Sequence, residues 1–383
     1  MKHVGIICEY NPFHGGHRYL LNAVRGAETV VCVMSGPFTQ RGEAAVIPPS
    51  ERAAMALACG ADLVVELPFP YAAGSARHFA TAGVRVLTGL GVDTIAFGSE
   101  SANAPALLET AARTLTPDFA EKVANGAKNK GDAAAYFEAL GEARISPNDI
   151  LALEYARAVH KGGSCLSIYP VLRQGAGYHD TDAEQALPSA TALRQKLQTG
   201  ADICDNLPIE VRQIWHDAVA QWGIADIRRL GGAMLAYLRG ATSESVSSAA
   251  ECSGGLGERL IRAAWEAWDY DSLCHLAATK KYTDGRIRRS LLYGLAGVTR
   301  ADLKAPPAYV KLLGANERGR AFLAAGRKTR TLPVVTKPAD AVALGECAVR
   351  ARRLAAVADG LYALCMEKGM APGALSTRPP LML

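Results

Sequence analysis

What this chain lacks narrows it first. Its nine cysteines never form a C-x-x-C pair, which argues against zinc knuckles and a disulfide framework and for a reduced, cytoplasmic setting. No apolar segment approaches the ~20 residues a membrane span requires, so no membrane partner is expected. A cleavable leader is not expected either, because Glu9, Asn11 and Pro12 interrupt the first apolar run. Internal repeats are absent, and no dedicated metal-ligand cluster stands out. Excess charge is scarce too: +5 over 383 residues is too mild to argue for nucleic acid, and the distribution of basic residues has to decide that question. What remains is a globular composition, 49% hydrophobic and 21% charged, in a chain too long for one ordinary core. Two domains are expected.

Residues 3–20 organise the rest. Val4 to Cys8 is a short apolar, β-branched run of the kind that forms a buried strand, and Asn11-Pro12 breaks it. His14-Gly15-Gly16-His17 then opens a helix. Two histidines three apart share a helix face, and glycine between them lets a phosphate approach the backbone. The unpaired N–H groups of that first turn favour an anion. Imidazoles placed there can donate hydrogen bonds to phosphate oxygens whose charge grows as the α-phosphorus is attacked. A helix cap or a metal-binding pair is the alternative for the same string. The string looks like the H-x-G-H signature of the nucleotidylyltransferase superfamily. In that resemblance His14 contacts the phosphates and His17 stabilises the α-phosphate in the transition state.

Farther along, Thr29 to Met34 reads as a second strand, so strand, helix and strand fall within ~35 residues as in a parallel βαβ unit. Ligands of such sheets sit at the carboxyl ends of strands, where Asn11 to His17 and Ser35 to Glu43 both lie. The second of these segments reads equally well as an ordinary surface loop. Ser50 is a suitable N-cap for a helix over Glu51 to Cys59, and strands follow at Ala61 to Leu67 and Thr94 to Phe97. Residues 102–145 are alanine-rich and helical in period, with no chemistry assigned. A helix over Asp149 to Val159 precedes the strand Leu166 to Leu172 and its polar continuation Arg173-Gln174. Ser189 can cap a further helix, and Arg194 one turn on could clamp triphosphate oxygens bidentately, which makes both phosphate-binding candidates.

Past Gly200 the β-branched runs give way to helical stretches up to about Val298. Trp215, Trp222, Trp265 and Trp268 all lie there and read as core anchors. The string Lys280 to Arg289 is the densest basic stretch in the chain and reads as a phosphate-backbone contact, with a solvated face as the alternative. Small strands are expected at Val310 to Gly314 and Pro333 to Thr336.

Gly5 to His17, Met34 to Glu43, Gly98-Ser99-Glu100, Pro147 to Ile150, Tyr178-His179-Asp180, Ser189 to Arg194 and Thr279 to Thr283 together resemble the bacterial tRNA(Met) cytidine acetate ligase family. The likeness runs over nearly the whole chain. Its specific part is E-Y-N-P-F-H joined to the S-G-x-F-x-Q-R-G-E loop. The resemblance implies an α/β fold: a Rossmann-like, parallel-sheet nucleotidylyltransferase (HUP-type) ATP-binding domain over residues 1–200, then a mainly helical, tRNA-binding domain over 201–383. It implies an enzyme that uses ATP, with Mg²⁺ as companion ion, to convert acetate to acetyl-adenylate. The acetyl group then passes to N4 of the wobble cytidine of elongator tRNA(Met). Carried over by position, the ATP site comprises Ile7, Cys8, Glu9, Tyr10, Asn11, Pro12, Phe13, His14, Gly15, Gly16, His17, Arg18, Tyr19 and Leu20, with Gly98, Asn148, Arg173 and Gln174. His14 and His17 are the catalytic pair, and Lys280, Lys281, Arg286, Arg288 and Arg289 the expected tRNA contacts. Gly15 departs from the Asn that many relatives carry.

Two other readings compete. One is an adenylyltransferase acting on a small phosphorylated metabolite, its helical domain serving oligomerisation. The other is a nucleotide-sensing RNA-binding protein without catalysis.

Overall fold

The structure, a computed structural model, describes residues 1–130, 132–141, 147–163, 165–173 and 188–383. Its first part alternates as the apolar runs predict: β1 (His3–Cys8), α1 (Gly15–Ala23), β2 (Thr29–Ser35), α2 (Pro49–Ala58), β3 (Leu63–Leu67), α3 (Ala76–Leu90) and β4 (Thr94–Ser99). Helices α4 (Ala104–Arg113), α5 (Pro117–Lys130), α6 (Asp132–Leu140) and α7 (Pro147–Lys161) lead to β5 (Ser167–Leu172) and α8 (Ala190–Gln198). Side chains of β1 and β2 are buried on both faces, as strands covered by helices require. Ile7, Val31 and Val33 enter one core, and Val4, Ile6, Cys32 and Met34 enter the other.

Strands run in the order β5-β4-β1-β2-β3, all parallel. The chain steps outward from β1 through β2 and β3, then returns to the other side of β1 for β4. The switch point therefore falls between the carboxyl ends of β1 and β4, where the fold opens a crevice for a ligand.

The helical section comprises α9 (Arg212–Trp222), α10 (Gly231–Gly240), α11 (Ser243–Ser248), α12 (Leu256–Glu266), α13 (Tyr270–Ala277), α14 (Asp284–Ala296) and α15 (Arg300–Lys304). The chain then comes back to the sheet. β6 (Val310–Ala315) pairs antiparallel with β3, Leu63 opposite Ala315 and Val65 opposite Leu312. β7 (Val334–Val335) and β8 (Leu381–Met382) both pair with β6, and helix α17 (Glu346–Cys365), preceded by α16 (Glu317–Ala325), packs near α14. One core cluster holds Ile7 and Val65 of the sheet together with Leu260, Leu291 and Tyr362. A boundary at residue 200 thus leaves part of the sheet on each side; the helical section is an insertion between β5 and β6.

Two local expectations change. Ser50 is not the cap of α2: the helix starts one residue earlier, at Pro49 with Pro48 before it, because proline suits a first turn that has no N–H partner to lose. The Ser50 hydroxyl instead donates to Glu51 at 2.6 Å. Of the four tryptophans, Trp215 is buried and Trp222 half-buried, but Trp265 and Trp268 are 67% and 79% exposed, at the end of α12 and just beyond it.

Candidate active site

The H-x-G-H turn is a reciprocal helix cap built from its two histidines. His14 Nδ1 accepts the Gly16 N–H at 3.0 Å, and His17 Nδ1 accepts the His14 N–H at 3.2 Å. A neutral imidazole that accepts at Nδ1 carries its proton on Nε2. Both rings therefore offer an Nε2–H donor, and neither donor meets a described protein acceptor. The rings lie 3.7 Å apart, with Tyr10 edge-on to His17 at 4.9 Å. Glycine at position 16 is a steric need, since a Cβ there would stand 2.9 Å from the His14 ring. Capping, one of the readings open for this string, occupies Nδ1 of each ring and leaves Nε2 for a ligand.

Burial, aided by Arg173 and Arg194, holds the His14 imidazole down at about 3. Burial, then His14 and Arg173, lowers His17 well below its ordinary value. Both are neutral donors at neutral pH. An unfolded histidine takes up a proton below about 6.5, whereas folded His14 stays neutral until about 3. Between those limits the unfolded chain binds more protons, so stability is full above the upper one and falls as the pH drops through the window. His14→Asn, whose side-chain oxygen can still accept the Gly16 N–H, is expected to flatten the decline of melting temperature between pH 7 and pH 4. An unchanged decline would disprove the assignment.

These rings line a cavity of about 340 Å³ at the switch point. Of the residues expected at an ATP site, Ile7, Cys8, Glu9, Tyr10, Leu20, Gly98, Asn148 and Arg173 also line it, as do Ser189 and Arg194. Asn11, Pro12 and Phe13 are buried behind the turn. Gly15, Gly16 and Tyr19 belong to α1 without lining the cavity, and Arg18 turns away to pair with Glu210 at 2.9 Å. Gln174 lies outside the described residues.

Four helix starts converge here, those of α1, α3, α7 and α8, and unpaired N–H groups at such ends attract anions. Ser189 caps α8, its hydroxyl accepting the Ala192 N–H at 3.1 Å. Arg194 is steadied by the Asn11 carbonyl at 2.9 Å and lies 3.6 Å from Glu43. On the other side, Asp149 at the start of α7 accepts the Ser99 hydroxyl at 2.8 Å and the Glu100 N–H at 3.0 Å. Asn148 donates to Glu100 at 3.1 Å. The separated sequence pieces Gly98 to Glu100 and Asn148-Asp149 are thus one structure. Arg41, Arg173, Arg194 and the two imidazoles face a single acid, Glu9, among the described lining residues.

The segment Ser35 to Glu43, open between loop and site from its sequence, is mostly buried and joins the site through Gln40, whose N–H donates to Glu9 Oε1 at 2.7 Å. Gly42 sits at φ 72°, and a Cβ there would stand 2.8 Å from the Arg289 backbone nitrogen. Only glycine suits both the conformation and the contact. Sequence reasoning missed Gln40, Arg41, Phe79, Tyr155 and Thr191 in the lining. It also missed Arg52, which is fully buried and donates to the carbonyls of Ile47 at 3.1 Å, Glu9 at 2.6 Å, Ser35 at 3.0 Å, and Gly36. That side chain ties the end of β1 to the end of β2. An arginine within an otherwise apolar helix face was the only signal.

Larger clefts flank the cavity. One of about 780 Å³ shares Ala76 and Ile150 with it and is lined by Phe119, Tyr136 and Phe137 together with Lys281, Arg286 and Arg289. Another of about 620 Å³ shares Arg41, Thr191 and Arg194, and Arg288 lines it. Helix α14 therefore divides the expected basic patch. Arg289 pairs with Glu251 at 2.7 Å, Arg286 donates to the Glu251 and Ser253 carbonyls, and Arg288 pairs with Glu43. Lys281 reaches the Gly254 carbonyl at 2.9 Å, and Lys280 is exposed.

Residues 1–372 match the family described as HIGH Nucleotidyl Transferase. The tRNA(Met) cytidine acetate ligase of Syntrophotalea carbinolica is 39% identical over 360 residues, covering 88% of this chain and 85% of that one. The protein of the same name from Listeria monocytogenes is 35% identical over 387 residues, covering 94% and 96%. Among solved structures, Thermotoga maritima TmcAL in its apo form superposes with a TM-score of 0.93 at 28% identity, and the form bound with alpha-thio ATP with 0.90 at 27%, each over 100% of both chains.

Proposed function

The chain belongs to the HIGH nucleotidyl transferase family and, within it, to the tRNA(Met) cytidine acetate ligases, and from that premise we propose that it activates acetate with ATP and acetylates N4 of the wobble cytidine of elongator tRNA(Met). The observation that carries this reading is the pair of free Nε2–H donors, set at a helix start beside Arg173 and Arg194 in one cavity.

An acetate oxygen attacks the α-phosphorus, a new P–O bond forms, and the bond to the bridging oxygen breaks to release pyrophosphate. Charge grows on the α-phosphate oxygens as this happens. His14 and His17 donate to those oxygens, while the start of α8 with Ser189 and Arg194 holds the leaving pyrophosphate. Gly98 and Asn148 line the same cavity and are assigned to the adenosine, while Arg173 adds positive charge beside the imidazoles. The cytidine amine is a weak nucleophile, since its lone pair is delocalised into the ring, so the acyl-adenylate and close alignment supply the drive. A wobble base in an anticodon loop is already unpaired and needs no extrusion from a stem.

Among the described residues no group of three or more His, Cys, Asp or Glu is placed to hold a metal. Mg²⁺ would travel on the triphosphate's own oxygens. No helix among the described residues is long and apolar enough to cross a membrane; a cytoplasmic location is part of the proposal and rests on the proposed tRNA substrate.

The test is to incubate the protein with ATP, Mg²⁺, labelled acetate and bulk tRNA, and to digest the RNA. ATP-dependent label in N4-acetylcytidine is the expected result. Absence of label together with absence of acetate-dependent pyrophosphate exchange would instead favour an adenylyltransferase for a small phosphorylated metabolite. For the tRNA contacts, three guanidiniums of the basic string are already engaged internally, so the exposed lysines are the sharper targets, Lys280 and Lys281, the latter donating to the Gly254 carbonyl. Replacing both with alanine is expected to weaken tRNA binding and to reduce the slope of log affinity against log salt by roughly two, leaving ATP affinity in place. Equal affinities at low and high salt would remove the two lysines from the interface.

A further inference from the structure

Glu9 is the one acid among the described residues lining the ATP cavity, and phosphate binding has no use for it. A carboxylate repels a triphosphate, and the step that makes acetyl-adenylate releases no proton, because acetate arrives ionised. The second step is different. A neutral amine that becomes an amide must lose a proton, and among the described lining residues, otherwise arginines, neutral imidazoles and uncharged side chains, Glu9 is the group suited to take it.

Glu9 is also held as a positioned base would be. Its Oε1 accepts the Gln40 N–H at 2.7 Å, its main-chain carbonyl accepts from Arg52 at 2.6 Å, and its other carboxylate oxygen is hydrogen-bonded to no described residue. It stands one residue past the end of β1 and five before His14, the first residue of the histidine turn. The acetyl carbon, joined to the α-phosphate, has to sit near that turn.

Resting on the acetate-ligase reading, we propose that Glu9 is the general base of acetyl transfer, taking the proton from the acceptor cytidine amine. As N4 attacks the acetyl carbonyl carbon, the C–N bond forms and one N4 proton passes to the free oxygen of Glu9. Collapse of the tetrahedral species breaks the bond between the acetyl carbon and the phosphate oxygen, and AMP leaves with that electron pair. The carboxyl then returns its proton to water. Burial raises the Glu9 pKa against the pull of the Gln40 N–H, Arg194 and Arg41, which strengthens it as a proton acceptor.

The two half-reactions can be read separately in Glu9→Gln, which preserves shape and can still accept the Gln40 N–H. Single-turnover transfer from isolated acetyl-adenylate to tRNA is expected to fall by ~10²-fold or more, far more than acetate-dependent ATP–pyrophosphate exchange falls. Glu9→Asp, which keeps a carboxylate, is expected to recover part of the transfer. Equal losses in both half-reactions would overturn the proposal and make Glu9 a residue of ATP or metal binding. Transfer by Glu9→Gln at the wild-type rate would overturn it as well. Failure of the underlying reading looks different, since the wild-type protein itself would then place no acetyl group on tRNA.

Discussion

Replacing His17 with alanine is expected to slow acetate-dependent pyrophosphate exchange by about 10²–10³-fold, the range for removing one donor aimed at charge that develops in a transition state. The loss should appear mostly in kcat. Ground-state ATP retains His14, Arg173, Arg194 and the helix starts that line the cavity, whereas the His17 contribution grows as the α-phosphorus is attacked. Alanine also deletes the acceptor of the His14 N–H, which costs about 1 kcal/mol of helix capping. A thermal melt separates that cost from the catalytic loss. If exchange proceeds at the wild-type rate in a folded variant, His17 is a cap and nothing more.

Arg52→Met is expected to be the most destabilising of the substitutions considered. Methionine fills much of the same apolar channel but leaves the carbonyls of Glu9, Ser35, Gly36 and Ile47 without their shared donor. Each unsatisfied buried acceptor costs about 1–3 kcal/mol, partly offset because a charge no longer has to be buried, so a net loss on the order of 3 kcal/mol is expected. Urea unfolding measures it, and a loss below about 1 kcal/mol would show that the strand ends hold without the clamp. Because Glu9 and Gln40 are linked across the same two strand ends, activity below the melting temperature should fall too.

The contrast between these two residues explains what could be read in advance. His14 and His17 are legible because their chemistry is local: the turn, the cap and the donors all fall within four residues of one another. Ser189 and Arg194 are legible for the same reason, one turn of one helix. Arg52 satisfies carbonyls in three separate segments, and no pattern around position 52 announces them. The return of β6 to the sheet was likewise hidden. Its six residues read as a small strand, but nothing in them says that their partner is β3, far back in the sequence. In the Lys280 to Arg289 string the charge is legible in the sequence and the side-chain pairing is not. A helix turns successive side chains by 100°, so Arg286 and Arg289 face Glu251 while Arg288 faces Glu43. Trp265 and Trp268 show the same limit, since their size suggested burial and only packing could place them at the surface.

The insertion of the helical section between two strands of one sheet has a mechanical meaning. A module hung from a single chain crossing can swivel in any direction. One anchored through both β5 and β6, and sharing a core with the sheet, can at most rock about the line between its anchors. On the proposed reading, an RNA docked on α14 meets a nearly fixed lever arm, and its distance from the cavity is built into the chain before any ligand arrives.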